Sequence, residues 1–332
     1  MRTVRLLPAF LAIVMLMVIG APVTRAQYVN VTDYVVRGEQ YLAAGAADSA
    51  IFQFEQALAL DPGNTRALFG LGRALETRSK VALVLDYRME LLTDTSAAMD
   101  QGFPPLTDQG YSDVRRAIDA YLKAAAGWPR YPEANLRAAR LQWASGLTDD
   151  ARATAERAFT EDPSLTDAAA LLAAIMAESG DLAGATSVLD RAVAAALDRS
   201  LPSLSGAYGV VYMKQSRPEL AVQVLLPAAL RPDAPAYLFK YLGDAYAALG
   251  QHPQAISYYQ QAAFGNPQLV LAREALGRAL RLSGQPAAAA QHLAYAASVN
   301  PALTQAVLGH GAALVSSGAA SAAVAALQPV VE

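Results

Sequence analysis

The sequence predicts an all-α protein made by stacking helical hairpins, and three observations carry that reading. The first is composition: apolar residues make up 54%, much of it alanine, against 8% aromatic and 17% charged. Alanine gives up no side-chain entropy in a helix, and runs of Val, Ile and Thr that would suit strands are scarce. The second is a recurring small residue, at Gly38, Gly72, Ala139, Ala173, Gly209, Gly243, Gly277 and Gly311, with steps of 34, 67, 34, 36, 34, 34 and 34. The third is an alanine at Ala50, Ala117, Ala151, Ala185, Ala221, Ala255, Ala289 and Ala323, with steps of 67, 34, 34, 36, 34, 34 and 34. Beyond the first gap the two series share every irregularity, and a fixed period of this length marks a repeat architecture.

Each element follows from the repeat. The small residue lies midway along the first helix of a hairpin and the alanine lies in the second. Gly243 and Ala255 are small because the two helices cross there, with Tyr246 and Tyr259 filling the space on either side. Gly180, Gly250 and Gly284 end first helices where a left-handed backbone suits glycine. Pro62, Pro129, Pro163, Pro267 and Pro301 stop second helices, since proline lacks the amide hydrogen and clashes with the preceding turn. Asp61-Pro62-Gly63-Asn64 suits a tight turn. A single hairpin cannot bury its apolar face, so stability accumulates by stacking neighbours.

One stretch departs from the pattern. The step from Ala50 to Ala117 is one residue short of two repeats. Thr65 to Ser79 reads as an ordinary first helix and Val81 to Leu92 as its second, with Val84 and Arg88 in place of the usual alanine and aromatic. Ser96 to Gly110 contains Gly102-Phe103-Pro104-Pro105 and is not a regular helix; Asp113 to Ala126 resumes as a second helix. Residues 80–112 are therefore read as a degenerate repeat whose first helix has become a loop, with an insertion inside a single repeat as the other reading.

The N-terminus has the pattern of an export signal. Arg2 and Arg5 precede an apolar run from Leu6 to Ile19, and Thr24-Arg25-Ala26 offers small residues around a cut after Ala26. The expected organisation is a signal over 1–26, a linker over 27–33 and a solenoid over 34–332. The competing reading is an uncleaved anchor, the one circumstance in which membrane association is expected. Either way the remainder is expected outside the cytoplasm, in the periplasm or cell envelope. Loss of Arg2, Arg5 and Arg25 with no acid takes the formal charge from −3 to −6, a poor balance for neutralising nucleic-acid phosphates. The absence of cysteine excludes disulfides, thiolate metal sites and cysteine nucleophiles.

No catalytic constellation emerges. His252, His292 and His310 fall in a hairpin turn, a second helix and a first helix, without metal-ligand spacing. Gly70-Leu71-Gly72 and Gly309-His310-Gly311 resemble half of a dinucleotide fingerprint, but both lie inside helices with no preceding strand. Neither an enzyme nor a cofactor or metal is expected. Asn30-Val31-Thr32 is a glycosylation sequon read as coincidence.

Phe239, Leu242, Gly243, Tyr246, Gly250, Ala255, Tyr259, Ala262 and Pro267 form one full unit. Tyr34, Gly38, Tyr41, Gly45, Ala50, Phe54, Ala57 and Pro62 form another, with Arg37 where an apolar residue is usual. In these residues the chain resembles the tetratricopeptide repeat family across nearly all of its length after residue 26. The resemblance implies a right-handed α-solenoid of about eight hairpins whose first helices line a concave face that meets a protein or peptide partner. On that face Arg66, Arg73, Arg137 and Arg140 are expected as a basic strip. Tyr237, Lys240, Tyr241, Asp244, Glu274, Arg278 and Arg281 are expected as a mixed aromatic and charged strip, or as a solvated face with Lys240–Asp244 and Glu274–Arg278 paired at helical spacing. Between the strips Ala170, Ala174 and Ala177 form a small-residue floor. The family's carboxylate clamp of lysines and asparagines is not reproduced. The implied role is an envelope adaptor in an assembly or secretion system; the alternative is a capture protein for a small ligand or cell-wall fragment. At the C-terminal end, Gln328-Pro329 is expected to break the last helix, leaving Val324, Leu327, Val330 and Val331 partly uncovered for self-association or docking.

Overall fold

A computed structural model describes residues 30–94, 104–127, 131–196 and 201–331, with side chains described up to residue 328. The export signal expected over 1–26 lies outside the described residues, as does Pro129. The described chain is helical between short turns, with no strand. Hairpin one pairs α1 (Val31–Ala43) with α2 (Ala47–Leu60), and α3 (Thr65–Ser79) is followed by a short α4 (Ala82–Leu91) and then α5 (Asp108–Ala126). Hairpins three to five pair α6 (Pro132–Ala144) with α7 (Thr148–Glu161), α8 (Thr166–Glu178) with α9 (Leu182–Ala195), and α10 (Pro202–Lys214) with α11 (Pro218–Ala229). Hairpins six to eight pair α12 (Ala236–Ala248) with α13 (His252–Gly265), α14 (Val270–Leu282) with α15 (Pro286–Val299), and α16 (Thr304–Ser316) with α17 (Ala320–Val331). Successive hairpins pack on one another along the row, as the expected all-α solenoid requires.

The spacing argument holds at the atomic level. The eight repeating alanines of the second helices are each at most 2% exposed. A Cβ added to Gly243 would run into the Tyr259 ring, one added to Gly38 into Phe54, and one added to Gly311 into Leu327. Gly180, Gly250 and Gly284 take positive φ as expected, and Ser216 adopts φ 58° at the corresponding place in hairpin five. α1 begins at Val31, inside the stretch expected as a linker over 27–33. Asn30 caps it, its Oδ1 accepting from the Asp33 amide at 3.0 Å while Asp33 accepts from the Asn30 amide at 3.1 Å.

The irregular stretch is an insertion. α3 packs along α5, making these the two helices of hairpin two, and α4 is not the partner of α3. A left-handed Lys80 (φ 57°) ends α3 and turns the chain away into α4. The degenerate-repeat reading fails because a second helix must present a small residue to the first. α5 does so with the fully buried Ala117, and the Tyr121 ring covers Gly72. Gly102-Phe103 lies outside the described residues, and Thr107 caps α5 through the Gly110 amide at 3.1 Å. At the far end Pro329 does not end α17, which continues to Val331.

The packing predicts that Tyr259→Ala lowers stability by about 3–5 kcal/mol. Gly243→Leu should also lower it, by forcing the α12–α13 crossing apart. Urea melts of both variants against the parent chain measure this.

Candidate protein-binding groove

α4 determines what the groove looks like. Ten residues are too few for an isolated helix to persist in water, so α4 depends on what it packs against. Its sequence, Ala-Leu-Val-Leu-Asp-Tyr-Arg-Met-Glu-Leu, is apolar on more than one side, the mark of a helix surrounded by protein. It touches α6, α12 and α14, all first helices and as much as four hairpins apart. In a flat row with helix axes 8–10 Å apart, α6 and α14 would be about 35 Å from each other, whereas ten residues of helix span about 15 Å. The first-helix face therefore curves around α4. Tyr87 and Leu91 pack with Val270, Leu271 and Leu303, Leu92 with Leu136 and Trp143, and Val84 and Leu85 with the apolar cluster of the first three hairpins.

Polar contacts fix α4 in place. The Glu90 carboxylate, fully buried, accepts from the amides of Val270 at 2.9 Å, Leu271 at 3.2 Å and Ala272 at 2.6 Å. These are orphan donors of the first turn of α14, whose N-cap residue, Leu269, offers no side-chain acceptor. Glu90 thus caps a helix 180 residues away. Lys240, also fully buried, donates to the Glu90 carbonyl at 2.6 Å and pairs with Asp244 at 2.7 Å. The Tyr241 hydroxyl donates to the Met89 carbonyl at 2.7 Å. Thr93 donates to Asp244 at 2.5 Å, and so does Tyr259 at 2.9 Å. Arg88 pairs with Glu178 at 3.0 Å and lies over the Trp143 ring, whose Nε1 donates to Glu178 at 2.7 Å. Asn266 donates to Asp86 at 3.0 Å.

These contacts change the expected site. Lys240 and Tyr241 do not face an open groove; α4 covers them. The solvated-face reading fails as well, because the Lys240–Asp244 pair is sealed under α4. Tyr237 is half-buried and tilted against Tyr241 at 5.3 Å. Glu274 is 2% exposed and 3.9 Å from Arg278, while the Arg281 Nε is buried without a hydrogen-bond partner among the described residues. Nor do the four N-terminal arginines form a basic strip. Arg66 is held by both oxygens of Glu39 at 2.7 and 2.6 Å, and Arg137 by Glu76 at 3.2 Å and Glu133 at 2.9 Å. Arg73 and Arg140 are exposed and make no ion pair among the described residues. At the C-terminal end Val324 is 70% exposed, while Leu327 turns inward onto Gly311. Sequence reasoning missed Glu90, Arg88, Thr93 and Trp143. No group of His, Cys, Asp and Glu suited to a metal, and no helix long and apolar enough to cross a membrane, occurs among the described residues.

Burial raises the Glu90 carboxyl to about 8, against the pull of Lys240 and the three amides. The folded state then holds this proton more tightly than the unfolded chain, where the carboxyl titrates near 4.5. The resulting stabilisation is complete below 4.5 and is lost as pH rises to about 8. Urea midpoints should accordingly fall from pH 5 to pH 8 and then level, with a shallower fall in Glu90→Gln. Trp143 emission, in a Trp128→Phe background, reports whether α4 remains docked.

Two tetratricopeptide-repeat models match the chain, one over residues 41–78 and 108–175 and the other over 207–270 and 241–302. The first match breaks off at 78 and resumes at 108, across the segment that contains α4. Among solved structures, a tetratricopeptide repeat protein from Parabacteroides merdae is similar at a TM-score of 0.58 and 13% identity, covering 83% of this chain and 98% of that one. The APC/C hetero-tetramer Cut9–Hcn1 gives 0.60 and 17%, covering 86% of this chain and 49% of the matched one, so the chain spans about half of it. Pseudomonas aeruginosa pilF gives 0.51 and 20%, covering 60% and 91%. No curated protein sequence matches the chain.

Proposed function

The chain belongs to the tetratricopeptide-repeat family, whose members are protein-interaction scaffolds, and we propose that it is an exported adaptor of the periplasm or cell envelope. Its partner site lies on the N-terminal part of the first-helix face. The observation that carries this reading is the division of that face by α4. From α6 to α14 the first helices hold the chain's own helix; on α1 and α3 they remain open. There Arg73 presents a guanidinium not neutralised by any described neighbour, flanked by the Arg66–Glu39 and Arg137–Glu76 pairs. Phe69 and Tyr131 stack beside them, with centroids 5.5 Å apart. An aromatic shelf with one free cation and two fixed ion pairs suits an extended peptide bearing an acidic residue.

The charged start, apolar centre and Thr24-Arg25-Ala26 support export, with a mature chain beginning at Gln27. The exposed Val324 and Leu308 at the end of the row support contact with a second copy of the chain. A photo-crosslinking residue at Arg73 should capture a partner in the envelope fraction from a chain whose N-terminus reads Gln27. The same residue at Glu156, exposed on α7, should not. Capture at Glu156 alone would place the partner on the other face, and an intact Met1 would leave the segment as an anchor.

A further inference from the structure

Between α4 and the first helices beneath it lies a cavity of about 160 Å³. Its origin is a difference in side-chain size along the row. Position for position, three residues before the repeating small residue, α6 carries Leu136, α8 Ala170, α10 Gly206 and α12 Lys240. Large residues at the two ends, Leu136 and Trp143 on α6 and Lys240 and Tyr241 on α12, hold α4 away from the row. The middle two helices offer the small residues Ala170, Ala174, Gly206 and Ala207 as floor, with Leu171 and Val210 beside them. Leu85 and Met89 of α4 form the roof. Of the alanine floor legible in the sequence, Ala170 and Ala174 thus form the base of a half-open chamber roofed by α4, while Ala177 does not line it.

Polar groups gather at one edge. Asp167, Ser203 and Tyr237 occupy one register, six residues before Ala173, Gly209 and Gly243, and line the cavity with Asp86 from α4 and Arg140 from α6. Asp86 already accepts from Asn266 and lies close enough to Arg140 to feel its charge. Arg140, Asp167, Ser203 and Tyr237 have no side-chain hydrogen bond or ion pair among the described residues. Arg140 and Asp167 are exposed and mark the mouth.

We propose that this chamber binds a free α-amino acid with a medium-sized apolar side chain, of the valine or leucine class. A lone carboxylate would meet Arg140 but also two aspartates. A lone ammonium would meet the aspartates but leave Arg140 unmatched. A zwitterion satisfies both, with its carboxylate on Arg140, Ser203 and Tyr237 and its ammonium toward Asp167 and Asp86. Its side chain enters a space close to the roughly 150 Å³ in which an apolar cavity holds benzene. Met89 adapts the roof to small differences in shape. This site is separate from the Arg73 face and stands whether or not that face binds a partner.

Isothermal titration of the full chain with L-leucine, isovalerate and isoamylamine tests the proposal. Leucine should bind, and each half-ligand should bind at least about tenfold more weakly. Asp167→Asn should bring leucine down to the level of isovalerate. Ala174→Phe, which fills the chamber, should abolish leucine binding; Ala170→Leu does the same with a smaller side chain should the first variant fail to fold. Absence of leucine binding to the parent chain would overturn the proposal. So would isovalerate or isoamylamine binding as tightly as leucine, or leucine binding that survives in a folded Ala174→Phe or Ala170→Leu variant.

Discussion

A carboxyl group with no route to water must find donors inside the protein, and Glu90 finds three in the first turn of α14. An unmade hydrogen bond at a buried group costs about 1–3 kcal/mol, so the arrangement binds both parties. Without Glu90, α14 would begin with three uncapped amides in a dry interior. Without α14, both oxygens of the Glu90 carboxyl would be buried without a donor. Lys240 is equally constrained, since its ammonium is satisfied by the Glu90 carbonyl and by Asp244. These mutual requirements fix where the inserted helix sits, and the helix in turn fixes how the hairpins curve.

Solenoids of this kind ordinarily take their shape from nearest-neighbour stacking. Here the inserted helix adds contacts between hairpins that are not neighbours. Arg88 reaches Glu178 at the end of α8, Tyr87 and Leu91 reach hairpins seven and eight, and Val84 and Leu85 stay with the first three. The curve of the row is thereby tied at several points to one central element. The functional consequence is a partition of the first-helix face into an open N-terminal part, a chamber over the small-residue floor, and a sealed polar cluster around Lys240.

The repeat was legible because helix crossings demand small residues and second helices end at proline, and both demands recur at fixed spacing. Ser216 shows the limit of that reading, since a serine takes the left-handed position that glycine fills elsewhere. The nature of the insertion was present in the numbering. The glycine series opens its gap after Gly72 and the alanine series before Ala117, so the extra residues lie between the two helices of one hairpin. The site was less legible for a physical reason. Lys240 and Tyr241 stand at positions that face solvent or a partner in a plain solenoid, and their burial depends on a helix about 150 residues earlier in the chain. Nothing local to α12 announces that. The clue lay in α4 itself, whose Glu90 and Arg88 sit within an apolar run that no second helix of the series resembles.

The most direct test of this account is a short chemical crosslink between α4 and the turn before α14. The chain has no cysteine of its own, so Asp86→Cys with Asn266→Cys introduces a single possible pair at positions whose native side chains meet at 3.0 Å. A short bifunctional maleimide added to the folded monomer should join the two within the chain, seen as a shift in electrophoretic mobility that either single variant lacks. A folded monomer in which both cysteines react but are not joined would contradict the account, because α4 would then not rest in the groove.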